Sequence, residues 1–242
     1  EPLGRSGRFA ILAAMAVVLF ASGVAVRLRS ADDVRRRLAG TLMTAAAAAS
    51  GFAAYAGLEA GDDEVVPLAA TLVGLTVVTG GYLLAAGAVG QLGIAAGAFA
   101  VYASFLHLID ADAVPPYGLG MMALGLLWVA LAGWRAVREH RLGLAVAVAY
   151  GLTGAQVLLI GGDDNFRAYA LTALVAAACF AAYIQIREWV VLAGGVIGAT
   201  VVVPEFLYDV TDGSLGASGV LLVAGVTLLG ASLAGLRIRR TA

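Results

Sequence analysis

The sequence has no lysine: all 15 of its basic residues are arginine. Reactions that start from a side-chain amine are thereby excluded, among them retinal or pyridoxal phosphate Schiff bases and phosphate binding by a P-loop. Cysteine is nearly absent too. Cys179 stands alone in an apolar stretch, which excludes an internal disulfide, and no Cys/His spacing points to a metal. It reads as a small buried hydrophobe. Two isolated histidines, His107 and His140, cannot build a multi-histidine haem or di-iron site. No H-E-x-x-H, no glycine fingerprint after a strand and no carboxylate cluster inside an apolar run is present. Nor do a Ser, a His and an Asp share a plausible depth, since His140 lies among arginines and His107 beside Asp110. The expectation is a protein that is not an enzyme, holds no cofactor or metal and binds no nucleic acid.

Charge is scarce as well, at 13% of residues, against about 25% in an ordinary soluble domain. Hydrophobic residues make up 62%, where about 45–50% is usual. A soluble core cannot absorb that excess, so the first partner is the lipid bilayer. Glycine is abundant, at 32 residues, as is common in membrane helices. A spanning helix needs about 20 mostly apolar residues. Nine such runs appear, at 9–26, 38–58, 66–86, 91–109, 117–134, 142–161, 167–186, 189–208 and 217–236. Almost nothing remains for a soluble domain. The fold class is therefore all-α, a polytopic transmembrane helix bundle arranged as hairpins, with 1–242 as a single integral membrane domain.

The charges divide between alternate turns. One set carries Arg27, Arg29 and Arg35–Arg37, then Arg135, Arg138 and Arg141, then Arg187, then Arg237, Arg239 and Arg240. The other carries Glu59, Asp62, Asp63 and Glu64, then Asp110 and Asp112, then Asp163 and Asp164, then Asp209 and Asp212, with Arg167 as its one arginine. Arginine-rich turns stay in the cytoplasm, so the C-terminus is expected inside and the acidic turns outside. Nine crossings then put residue 1 outside, where Arg5 and Arg8 fit poorly. "EPLGRSG" reads as a linker, and a missing upstream segment that begins inside would complete the hairpins. Trp134 and Trp189 at inner ends, and Tyr55, Tyr117, Tyr169 and Tyr208 toward outer ends, form the expected interfacial belts.

Two connections carry local signals. "AAGAVGQLG", 85–93, has no charge and reads as a tight inner turn, with a buried re-entrant break as the competing reading. In "RLRSADDVRRR", Ser30 and Asp33 have capping-box spacing for the second helix. The outer turns recur at near-constant spacing, and a polar residue precedes three of them on one helix face: Glu59 before Asp62, His107 before Asp110, Glu205 before Asp209. Leu159 and Ile160 hold the equivalent places before the remaining turn.

Pro204 and Glu205 interrupt the eighth run. Asp209 lies about 30 Å from Trp189 and Glu205 only about 6 Å below Asp209, at 1.5 Å per residue. That depth lets Glu205 reach the outer interface as an ordinary helix-end residue. A functional reading stands beside it. Proline has no N–H, so the Thr200 carbonyl loses its helical partner, and a free carbonyl near a carboxylate attracts a cation or a proton. His107 is the candidate to share that proton, and one kink is expected at Pro204. Tyr150, Thr153 and Gln156 add a polar stripe on the sixth helix. Thr41, Thr44, Ser50, Thr71, Thr76 and Thr79 are expected to satisfy their own helices, and Gln to bond across a helix interface. The candidate ion or solute contacts are thus Glu205, His107, Gln156, Tyr150, Asp110 and Asp209. An acidic rim of Asp62, Asp110, Asp163 and Asp209 could hold a divalent cation with a phosphate-bearing lipid, or be a solvated face.

"AGGVIGA", "LAAGAVGQLGIAAGAF" and "LGASLAGLRIRR" bring Gly and Ala to one helix face, which lets backbones approach closely and offers a surface to a protein partner. This alternation of Gly/Ala-rich hairpins with Asp-bearing outer turns resembles prokaryotic polytopic membrane proteins of unknown function built from repeated helical hairpins. The resemblance implies no activity and carries over no functional residue; the expected location is the prokaryotic plasma membrane, crossed many times. The expected function is a non-enzymatic membrane subunit or scaffold for a partner or an upstream domain. The alternative is a transporter or channel for a small solute or cation, with the acidic turns as its vestibule.

Overall fold

In the computed structural model the described residues are 4–29, 32–59, 64–111, 114–160, 165–212, 214 and 216–241. They form nine α-helices and no strand: α1 (Arg5–Arg29), α2 (Asp33–Leu58), α3 (Val65–Leu84), α4 (Ala88–Leu108), α5 (Val114–Gly133), α6 (His140–Ile160), α7 (Asn165–Ile186), α8 (Trp189–Val210) and α9 (Gly216–Thr241). Eight of them, α1 to α8, are long and apolar enough to cross a bilayer, and α9 carries a shorter apolar stretch, Ser218–Leu233. The chain is an all-α, multi-pass membrane protein. The expected runs fall on these helices, and the first two helices begin earlier than their runs. Hydropathy marks the hydrocarbon-embedded part, whereas backbone hydrogen bonding continues into the polar interface.

By packing, the chain forms two compact units, Glu1–Asp112 with Arg135–Leu142, and Ala113–Trp134 with Gly143–Ala242. In the first, α2 lies against α1, α3 and α4. Its buried residues Ala39, Met43, Ala46, Ala49, Ala53 and Ala56 repeat every three or four positions, so one stripe of small side chains faces its neighbours. Met43, 1% exposed, is the exception in size and fills the space left by two glycines. A Cβ on Gly23 of α1 would come 2.9 Å from its Cγ, and one on Gly81 of α3 would come 2.8 Å from its Cβ.

Arginines close helix ends in this unit. Arg5 Nε donates to the Ala56 carbonyl in the last turn of α2 at 3.2 Å, and Arg27 Nε to the Leu84 carbonyl at the end of α3 at 3.3 Å. Last-turn carbonyls lack helical partners and carry the negative end of the helix dipole, so a cation there satisfies both needs. This gives Arg5 a local reason to sit beside an acidic turn. The uncharged stretch 85–93 does hold a tight turn: α3 ends at Leu84, α4 begins at Ala88, and Ala85 between them is 1% exposed. The capping residue Ser30 lies outside the described residues. The N-cap of α2 is Asp32, which makes no side-chain capping bond, and Asp33 instead pairs with Arg36 at 2.9 Å.

The connection between α5 and α6 packs within the first unit. The Arg138 N–H donates to the Tyr82 hydroxyl at 2.9 Å, and Gln91 Nε2 donates to the Glu139 carbonyl at 3.2 Å. Gln91 is fully buried, and its Oε1 has no hydrogen-bond partner.

In the second unit the helices cross at glycines. A Cβ on Gly118 of α5 would lie 2.7 Å from the Gly154 carbonyl oxygen of α6, and one on Gly154 would lie 2.6 Å from the Gly118 oxygen. Gly125 faces the Ala147 oxygen in the same way, at 2.9 Å. In α8, Gly194 meets Val148, Gly195 meets Phe180, and Gly198 meets Ala176 and Leu152, which seats α8 against α6 and α7. The hydroxyls of Thr41, Thr44, Ser50, Thr71, Thr76 and Thr79 each donate to a carbonyl three or four residues earlier in their own helix. Those side chains therefore need no partner across the membrane. Trp134, Trp189, Tyr55 and Tyr208 are exposed, as interfacial belts require. Tyr169 is not: it is 9% exposed and stands edge-on to Phe206, with ring centroids 5.9 Å apart.

Candidate functional site

The second unit gathers polar side chains at the acidic-turn end of α6, α7 and α8. Glu205, half-buried on α8, accepts a hydrogen bond from Gln156 Nε2 of α6 at 3.0 Å. The same nitrogen lies 3.4 Å from Thr172 Oγ1 of α7. Thr172 is fully buried, and its hydroxyl donates to the Ala168 carbonyl at 2.9 Å, which leaves the oxygen's lone pairs for Gln156. Three helices thus meet at one amide.

One turn beyond Glu205, Asp209 is exposed and accepts a bond from Asn165 Nδ2 at 3.3 Å. Both Asp209 and Glu205 act on Tyr169 electrostatically. Tyr169 therefore faces the two carboxylates together. α8 runs as one helix from Trp189 through buried Pro204 to Val210. The Thr200 carbonyl has no N–H to accept at position 204, while the Thr200 hydroxyl donates back to Val196 at 2.7 Å.

Of the residues singled out from the sequence, Glu205 and Gln156 are in direct contact, and Asp209 lies one turn from Glu205 on the same helix. Tyr150 is half-buried on α6, nearly two turns from Gln156, and Thr153 is exposed. His107 and Asp110 belong to the first unit, where both are exposed and the Asp110 N–H donates to the His107 carbonyl at 3.2 Å. Of the acidic rim, Asp62 and Asp163 lie outside the described residues. Among the described residues no group of three or more His, Cys, Asp or Glu could hold a metal ion. Thr172, Tyr169 and Asn165 were not singled out as site residues. Their signal was present, since Asn165, Tyr169 and Thr172 follow i, i+4, i+7 on one helix face.

The first unit carries a different feature. A cavity of about 740 Å³ opens between α2, α3 and α4. Thr44, Ala48, Phe52, Gly74, Ala96 and Gly97 are among its lining residues, and its walls are overwhelmingly apolar. Phe52 and Tyr55, one turn apart on α2, flank it and are 67% and 46% exposed.

Fold and sites together define a polytopic helical membrane protein with an apolar groove in one unit and a carboxylate–amide cluster in the other. Compared with known proteins, the chain matches no family model, no curated protein and no solved structure.

Proposed function

We propose that the chain is a non-enzymatic integral membrane subunit that receives an apolar spanning helix of a partner protein in the groove of its first unit. The groove carries this reading. Lipid tails are as apolar as leucine side chains, so association inside a bilayer is driven by close packing at small residues. The groove supplies such a floor in Ala48, Gly74, Ala96 and Gly97. It also presents Phe52 and Tyr55 at its edge, and large aromatic anchors beside small-residue pockets are what binding hot spots are made of. The partner is a protein helix and not a nucleic acid. Arginine counting supports a plasma-membrane location with the C-terminus in the cytoplasm.

Two lining residues with exposed side chains, Ala48 and Ala96, allow the groove to be filled without disturbing the helix crossings. Purification of Ala48→Leu and Ala96→Leu variants from native membrane in mild detergent tests the reading. The variants should keep the thermal stability of the parent and lose a stoichiometric membrane protein. Unchanged protein stoichiometry, or loss of phospholipid alone, would sink it. A second reading, transport of a small solute or cation, is supported by the contact of Glu205 with Gln156 and Thr172.

A further inference from the structure

We infer that the groove of the first unit selects its partner helix by two side chains one turn apart. A branched aliphatic side chain seats on Gly97, and a hydrogen-bond donor, nearer the acidic-turn end, meets the oxygens of Thr71 and Ser104. Such selection rests on the reading of the groove as a receptor for a partner helix, and it names the stripe that helix must carry.

The second unit has the same place filled. Gly93, Gly97, Val101 and Phe105 of α4 recur at one constant spacing as Gly194, Gly198, Val202 and Phe206 of α8. Thr71 and Tyr82 of α3 recur at that same spacing as Thr172 and Tyr183 of α7. The contacts recur with the residues. Tyr82 and Tyr183 are both buried. The Thr71 hydroxyl donates to the Pro67 carbonyl and the Thr172 hydroxyl to the Ala168 carbonyl, each at 2.9 Å. Gly97 meets Leu75 and Gly198 meets Ala176, which hold corresponding places on α3 and α7. Gly93 is covered by Thr44 of α2 and Gly194 by Val148 of α6, side chains of similar shape and size.

Beyond that point the two units part. One turn further along α6, Leu152 covers Gly198, where a Cβ would come 2.9 Å from Leu152 Cδ2. After another turn, Gln156 Nε2 meets Glu205 at 3.0 Å and Thr172 at 3.4 Å. On α2 the turns that follow Thr44 carry Ala48, which is exposed, and Phe52, which is 67% exposed. The three atoms nearest a Cβ on Gly97 all belong to Leu75, so α2 puts no leucine there. Phe52 has no donor to offer the oxygens beyond. Those oxygens are ready for one. Thr71 gives its hydrogen to its own helix and keeps its lone pairs. Ser104, in the place that Glu205 holds on α8, has its Oγ 3.4 Å from Thr71 Oγ1. The groove is thus the space of an absent leucine and an absent glutamine. Small-residue walls reward the leucine by close packing, and a hydrogen bond between helices adds selectivity inside a bilayer.

The probe is a synthetic, lysine-flanked helix with the α6 sequence from Leu142 to Ile160 and a photoreactive leucine analogue in place of Leu152. It is irradiated in vesicles with the full chain, and the cross-links are mapped by mass spectrometry. They should fall on α4 around Gly97 and be lost in Ala96→Leu. A Gln156→Leu change in the probe, which leaves the protein itself untouched, should lower the yield about threefold or more. Ser104→Ala in the full chain should lower it as well, and the two losses should fall short of additive. Equal capture of the parent and Gln156→Leu probes at Gly97 overturns the selection and leaves the groove a receptor for helices in general. Full additivity of the two losses overturns it in the same way. Cross-links only outside α2, α3 and α4 overturn the selection, and unchanged protein stoichiometry in the Ala48→Leu and Ala96→Leu purifications separately overturns the receptor.

Discussion

At the α1–α2–α3 junction of the first unit the helices meet through one side chain; at the α5–α6 crossing of the second they meet backbone to backbone. Met43 fills the gaps at Gly23 and Gly81, and its flexible end can yield when a neighbour changes. At the α5–α6 crossing, the missing side chains of Gly118 and Gly154 each face the other's carbonyl oxygen, which cannot yield. The consequences differ. The first unit keeps an apolar groove of about 740 Å³ along its most alanine-rich helix. The second draws its helices together and collects its polar side chains at one end. Similar glycine- and alanine-rich hairpins therefore give a receptive surface in one case and a tight scaffold for a carboxylate in the other.

The largest expected effect breaks or upholds this contrast. A Cβ added at Gly154 would come 2.6 Å from the Gly118 oxygen and 2.9 Å from the Met122 nitrogen. Gly154→Ala should therefore destabilise the protein by about 3 kcal/mol, the upper part of the usual range for overpacking. Gly80 of α3, in the first unit, has nothing within 4 Å of the equivalent position. Gly80→Ala should raise stability by up to about 1 kcal/mol, the difference in helix propensity. Unfolding in detergent micelles measures both. If Gly154→Ala unfolds at the temperature of the parent, the α5–α6 crossing is looser than described and the contrast fails.

The fold was legible because membrane insertion writes it into composition. Runs of about 20 apolar residues, separated by turns of alternating charge, place α1 to α8 without knowledge of any contact. The self-satisfied threonines were legible too, since the bond stays within one helix. The site was legible only in part. Glu205 and Gln156 each stood out, but their contact depends on α6 and α8 lying side by side, which no local pattern states. Tyr169 was read as an interfacial belt residue because its position suits one; burial against Phe206 decides otherwise. Arg5 looked misplaced on charge counting because its partner, the Ala56 carbonyl, belongs to a neighbouring helix. The groove needs residues from three helices and had no signature.

A middle-sized effect sharpens the comparison by testing what each unit's polar contacts are worth. Thr172→Val removes the acceptor at 3.4 Å from Gln156, and Tyr82→Phe removes the acceptor of the Arg138 N–H. Each should cost about 1 kcal/mol, the usual net worth of such a bond. The distinguishing quantity is coupling. Thr172→Val combined with Gln156→Leu should fall short of additivity by about 0.5 kcal/mol or more, as contacting residues do. Tyr82→Phe, in the other unit, should add to Gln156→Leu within about 0.5 kcal/mol. Additivity for the Thr172 pair would mean that the three helices do not share one amide.

The smallest expected effect lies at a helix end of the second unit and sets two local terms against each other. Arg187 follows α7 with φ of 57°, a left-handed backbone conformation. That conformation costs a side-chain-bearing residue about 1–2 kcal/mol, and glycine escapes most of the cost. Arg187 has a compensating contact, since its Nε donates to the Ile184 carbonyl at 3.3 Å, in the last turn of the helix it ends. At an exposed site that bond and the cation's interaction with the helix dipole are worth about 0.5–1 kcal/mol together. Arg187→Gly removes both terms, and the backbone term is the larger. The substitution should therefore stabilise the protein by about 0.5 kcal/mol. A measured loss would mean that the guanidinium at this turn outweighs the strain it imposes. Arginine at this turn would then be fixed by the helix it caps as well as by the membrane.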